Sequence, residues 1–245
     1  MKRLINAVVI AMALATAAYA QAKPDASLPT VDQVLDKYVQ ALGGKAAIEK
    51  QTSRVGKGTF EIPAFGASGT IETYAKAPNK TASIIDIPGF GTVKQGFDGK
   101  VGWGVDPQSG LHEQSGGELA STSLQAVFNR DLKLKELYPK ITVKGKDKVG
   151  DKDTIVLEAT PAEGSPEQWY FEAASGLLVR RDAEVDSPQG KMSIQVYFDA
   201  YKEFDGVKIA AAIRQVRTDF TLNIKLDEVK HNVAIDDAKF AKPAN

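Results

Sequence analysis

The chain has 245 residues, with 31 lysines and arginines balanced by 31 aspartates and glutamates, and it contains no cysteine. That balance supplies no electrostatic reason for a nucleic-acid partner, and the missing thiols exclude disulfide staples, thiol catalysis and thiolate metal sites. A chain of this length buries about 70% of its unfolded surface, so its stability is expected to come from a core.

Lys2 and Arg3 precede an almost uncharged apolar run, Leu4 to Ala17, and Ala18-Tyr19-Ala20 supplies a small-x-small cleavage pattern. The run is shorter than the roughly 20 apolar residues that cross a bilayer. Residues 1–20 are therefore expected to be a cleaved export signal, and 21–245 one mature domain in the periplasm. Its 29 basic and 31 acidic residues leave a net charge of −2. No cysteine follows the apolar run, so the chain is not expected to carry a lipid itself.

Residues 22–29 read as a lead-in. Thr30-Val31-Asp32-Gln33 fits a capping box. Val31, Val34, Leu35, Tyr38, Val39 and Leu42 follow on one helical stripe, and Gly43-Gly44 ends it. A short second turn is predicted over Lys45 to Lys50.

From Thr52 onward the period falls towards two. Val101, Trp103 and Val105 alternate with Lys100, Gly102 and Gly104; Met192, Ile194, Val196 and Phe198 do the same, as do Leu222, Ile224 and Leu226. These patterns predict antiparallel strands with one face buried. Asp98-Gly99 and Asp205-Gly206 suit two-residue hairpins, while Ala77-Pro78-Asn79 and Ser187-Pro188-Gln189-Gly190 suit proline turns. Ten to twelve strands are expected, mainly β overall. One interruption, Glu118 to Tyr138, has helical spacing at Ala120, Leu124, Val127 and Phe128, with a second short helix expected around Leu134 to Tyr138. The basic stretch from Lys140 to Lys152 is interleaved with aspartates and reads as a solvated hairpin.

Catalytic chemistry finds little footing. The two histidines, His112 and His231, have no ligand at metal-site spacing and read as surface or hairpin residues. There is no G-x-S-x-G elbow, dinucleotide fingerprint or P-loop. Asp236-Asp237 suits a helix start or turn better than an acid pair, because adjacent residues on an extended chain point opposite ways. No catalytic residue, cofactor or metal is predicted, and the chain does not read as an enzyme.

Lys76-Ala77-Pro78-Asn79, Phe97-Asp98-Gly99-Lys100, Trp103 and Asp106-Pro107 resemble the outer-membrane lipoprotein-sorting family, which includes the carrier LolA and LolB- and RseB-like relatives. Tyr170 to Arg180 and the closing Ile235-Asp236-Asp237-Ala238-Lys239-Phe240 resemble it too. The resemblance implies an unclosed antiparallel β-barrel of about eleven strands, covered by an N-terminal helix and a helical lid, whose apolar interior holds acyl chains. It departs at Ala77, where characterised carriers have an arginine associated with latching the lid. The expected partner is a lipid or lipoprotein acyl chain; the alternative is an envelope protein docked on the same fold with a filled core. A groove would be lined by Val101, Trp103, Val105, Ile194 and Val196 on the sheet, with Leu124, Val127 and Phe128 on the lid. The same residues could instead form a filled core.

Overall fold

The computed structural model describes residues 28–187 and 190–244. The expected export signal lies outside them, as do the middle residues of the Ser187–Gly190 turn.

The chain enters through helix α1 (Val31–Ala41), whose capping box is formed. Thr30 Oγ1 accepts the Gln33 amide at 3.2 Å, and Gln33 Oε1 accepts the Thr30 amide at 2.8 Å. Two orphan donors of the first turn are thereby satisfied. Val34, Leu35 and Tyr38 are buried along the expected stripe. The helix ends at Gly43, with φ of +120°, where a Cβ would lie 2.2 Å from the Gly206 carbonyl oxygen. Glycine is required there for both the backbone angle and the approach. Helix α2 (Lys45–Glu49) follows.

The next strands form a meander: β1 (Ser53–Ile62), β2 (Ala67–Lys76), β3 (Lys80–Ile87), β4 (Gly91–Phe97), β5 (Gly102–Asp106) and β6 (Gly110–Glu113). Helix α3 (Gly116–Ala126), a 3-10 turn at Arg130–Leu132 and helix α4 (Leu134–Leu137) interrupt it. A second meander comprises β7 (Lys140–Val149), β8 (Lys152–Thr160), β9 (Glu167–Glu172), β10 (Leu178–Ser187), β11 (Gly190–Phe204), β12 (Val207–Val216) and β13 (Thr221–His231). Pairing of β1 with β13 joins the two into one thirteen-stranded antiparallel sheet, ordered β6-β5-β4-β3-β2-β1-β13-β12-β11-β10-β9-β8-β7. The sheet does not close, since β6 and β7 are its two edges. Among the described residues thirteen strands form, against the expected ten to twelve, with short β5 paired to both β4 and β6 at one edge.

The joint is irregular and closely packed. A Cβ on Gly58 would sit 1.9 Å from the Lys225 carbonyl oxygen, and the β1–β13 register shifts between Lys57 and Gly58. A bulge and a side-chain-free residue are the usual means of curling a sheet.

Cross-strand partners share a face, so the register assigns the two sides. The row Val55–Tyr74–Ala82–Gly96–Trp103 lies under a C-terminal strap whose Ile235 and Phe240 pack on Ala82. Asp236 caps the strap's 3-10 turn by accepting the Ala238 amide at 3.0 Å, the expected turn role. The adjacent row, Arg54–Ala75–Thr81–Phe97–Gly102, faces the helices: a Cβ on Gly102 would meet Leu119 of α3 at 3.1 Å.

Candidate functional site

The helix-covered face carries the candidate site, and its two halves differ. Over β7–β10 the face is filled. Tyr38 of α1 stands edge-on to Phe171 with ring centroids 5.1 Å apart, and Tyr138 stands edge-on to Trp169 at 4.6 Å. Leu35, Leu134, Leu157 and Leu178 complete this core. It gains its stability from apolar burial and aromatic edge contacts.

Across the joint the same face stays more open. The register sets Val93, Ile85 and Ile71 side by side on β4, β3 and β2. It also sets Phe60, Ile224, Ile213 and Phe198 side by side on β1, β13, β12 and β11. Together they form an apolar strip over seven strands. Phe60 and Ile71 are buried, but Val93, Ile85, Ile224, Ile213 and Phe198 are only half-buried. Beside it, under α3, lies a cavity of about 390 Å³ lined by Thr73, Thr81, Ser83, Gln95, Thr122 and Gln125 among others. The recess is therefore amphipathic rather than uniformly apolar.

A charged cluster sits where filled and open halves meet. Tyr38 Oη donates to Asp131 Oδ1 at 2.9 Å. Glu167, itself buried, accepts Trp169 Nε1 at 2.8 Å and the Tyr138 hydroxyl at 3.2 Å. Arg181 is buried in the row Val196–Arg181–Trp169; its Nε lies 3.8 Å from Glu167 and has no hydrogen-bond partner. Burial pushes the Tyr138 phenol up to about 12, aided by the Glu167 carboxylate. Burial also lowers the Arg181 pKa from its ordinary value, against the pull of Glu167. At Arg130 desolvation acts downward, but Tyr138, Asp131 and Glu167 outweigh it and raise the pKa. Arg54 is exposed by surface area, yet desolvation lowers its pKa.

The residues singled out from sequence divide between the two faces. Ile194 and Val196 pair with Ala183 and Arg181 on the helix-covered face and are buried. Leu124 of α3 packs on the filled core. Val127 and Phe128 lie just beyond α3, where the Phe128 amide donates to the Pro78 carbonyl at 2.9 Å. Trp103, however, lies on the strap face, with Val105 on its side of β5 and Val101 just ahead of that strand; its Nε1 donates to the Phe240 carbonyl at 2.8 Å. These three cannot line one surface with Ile194 and Val196. The alternation correctly set one side of β5 apart, but it does not say which side the helices cover. The strap claims the indole.

His112 is exposed, 3.6 Å from Glu118. His231, expected as a surface or hairpin residue, closes β13 with its ring 3% exposed and Nδ1 3.2 Å from Asp205 of the β11–β12 turn. Desolvation lowers its pKa against the Asp205 hydrogen bond, and the charge of Arg54, its register partner, acts in the same downward direction. Among the described residues no group of three or more histidines, aspartates or glutamates could hold a metal ion, and no helix is long and apolar enough to cross a membrane.

No family model and no curated protein sequence matches the chain. Solved structures do. A DUF1329 family protein from Desulfovibrio piger aligns with a TM-score of 0.58 at 16% identity, covering 86% of this chain and 97% of that one. A domain from Vibrio parahaemolyticus assigned to outer membrane lipoprotein sorting gives 0.57 at 13% identity, with coverage of 86% and 97%. A LolA superfamily protein from Nitrosomonas europaea gives 0.54 at 14%, with 87% and 98%. The chain thus has the LolA/LolB-like fold, an unclosed half-barrel with helices, as its motifs led one to expect.

Proposed function

We propose that the protein binds a lipid or lipoprotein acyl chain in the periplasm, on the helix-covered face of its open sheet, with outer-membrane lipoprotein sorting as the process such binding would serve. The observation that carries this reading is the apolar strip from Val93 to Phe198, five of whose residues remain half-exposed. Apolar side chains left open inside a walled recess gain by being covered with hydrocarbon. A sixteen-carbon chain contributes on the order of 12 kcal/mol gross at about 0.8 kcal/mol per CH₂. Such binding needs no catalytic group. The fold shared with a lipoprotein-sorting domain and a LolA superfamily protein supports the reading at the level of architecture.

Pairing of a peptide strand onto the open sheet edge is the less favoured reading. Edge strand β7 carries Lys140, Lys144, Lys146 and Lys148, and lysines along an edge oppose strand addition.

Native mass spectrometry of the mature protein, purified gently from a bacterial periplasm and then extracted with organic solvent, tests the proposal. A bound mass that extracts as lipid supports it. A clean apo mass, unchanged after incubation with phospholipid and lipopeptide, overturns it, and a co-purifying protein without lipid would redirect the function to protein docking.

A further inference from the structure

Of the three guanidiniums in this corner, Arg181 is buried, Arg130 is half-buried and Arg54 is exposed. A buried cation is expensive unless paired and hydrogen-bonded, and here the pairing is incomplete. Three guanidiniums share the cluster with two carboxylates, Asp131 and Glu167. Both carboxylates spend their hydrogen bonds on neutral donors: Asp131 on Tyr38, Glu167 on Trp169 and Tyr138. Arg181 is nine-tenths buried, and its Nε reaches no acceptor. Among the described residues, no ion pair or side-chain hydrogen bond joins Arg54 or Arg130 to an acid. His231, next to Arg54 in the register, adds no compensating negative charge, since its own partner Asp205 stands 60% exposed at the rim.

The cluster also has a direction. Arg54 lies six residues before Phe60 on β1, on the same face, which is on the order of 20 Å at about 3.3 Å per residue. Arg54 and Arg181 thus share the helix-covered face of the sheet with the apolar strip. The 3-10 turn holding Arg130 and Asp131 closes the cationic end, where Asn129 Nδ2 donates to the Gln51 carbonyl at 3.3 Å.

We propose that this corner is a binding site for an oxyanion, a carboxylate or phosphate, and that the ligand of the recess is an amphiphile whose anionic head meets Arg54, Arg130 and Arg181 while its tail covers the strip. The tail half of this statement rests on the acyl-binding reading above; the anion half does not. Guanidinium forks match carboxylate and phosphate oxygens geometrically, and each such charge-assisted bond is stronger than a neutral one. An anion here would take up the surplus positive charge and supply the acceptor that Arg181 lacks.

Binding is measured on the full mature chain with four probes: palmitate, its methyl ester, inorganic phosphate and acetate. Palmitate binds at least about tenfold more tightly than methyl palmitate, the range of one charged hydrogen bond, and Arg54→Gln shrinks that ratio towards one while methyl palmitate affinity stays unchanged. Among the described residues Arg54 makes no side-chain hydrogen bond or ion pair, so the variant is expected to keep the wild-type circular dichroism; should it unfold, the wild-type ratio decides alone. Equal affinity for palmitate and its ester overturns the anion site and leaves the acyl reading intact. Binding of phosphate or acetate that Arg54→Gln weakens, with no binding of either sixteen-carbon probe, upholds the anion site for a small free anion and removes the acyl reading. Silence from all four overturns both.

Discussion

Glu167 holds together a corner of the molecule that its sequence neighbourhood does not announce. Its carboxylate accepts from Trp169 and Tyr138 and stands 3.8 Å from Arg181, with both charged partners about nine-tenths buried. Removing one member of a buried pair leaves the other charge uncompensated, at a cost of about 3–5 kcal/mol. Glu167→Ala is therefore expected to lower the urea midpoint severely. Asp227→Ala, whose partner Lys225 is exposed with it at 3.1 Å, is expected to leave the midpoint unmoved. Equal, small effects from both would mean that water reaches Arg181 freely. The arginine cluster itself was not legible in the sequence. Arg180 and Arg181 are adjacent, so strand alternation sends one to each face, and a bulge between Leu178 and Arg180 decides which. A bulge has no sequence signature there, and Arg54 and Arg130 join the cluster only through tertiary contact.

At the scale of elements, local chemistry was decisive where it acted over a few residues. The capping box at Thr30 and the paired glycines bounded α1 to within a residue, and the Lys45 turn forms as α2. The solvated hairpin from Lys140 to Lys152 is β7 and β8. The lid was harder: Val127 and Phe128 continue the helical spacing, yet α3 ends at Ala126 because the chain turns to give the Phe128 amide to Pro78. Gly43 and Gly44 look alike in sequence and differ in space. Both have positive φ, but a Cβ at Gly44 meets only the Gln40 side-chain oxygen at 3.4 Å, whereas at Gly43 it would collide with backbone at 2.2 Å. Gly44→Ala should cost about 1–3 kcal/mol from backbone strain alone. Gly43→Ala should cost clearly more, because the α1 end and the β11–β12 turn must separate. Denaturant midpoints of the two variants check the order, and a smaller loss at Gly43 would mean the helix does not seat against that turn as described.

The whole molecule is a bent sheet with a different occupant on each side, helices on one and the C-terminal strap on the other. That the chain would form an open, one-sided β structure under helices followed from its alternation and its family resemblance. Which apolar rows would face the helices did not, because alternation is symmetric between the two faces until something long-range breaks it. Trp103 is the clearest instance. Its indole closes the strap by donating to the Phe240 carbonyl, and Gly96 leaves room beneath it, since a Cβ there would approach the ring to 2.5 Å. Trp103→Phe keeps most of that packing and removes the donor, leaving a buried carbonyl unsatisfied at a cost of about 1–3 kcal/mol. Amides of the strap from Val233 to Phe240 should then exchange faster, while lipid uptake stays at the wild-type level. Ile213→Glu, on the strip, should do the reverse: uptake falls at least about tenfold, as a charge now faces the hydrocarbon, and strap protection is unchanged. If Trp103→Phe instead abolishes uptake, the faces communicate through β4 and β5, and the strap becomes part of the binding mechanism rather than a clasp on its back.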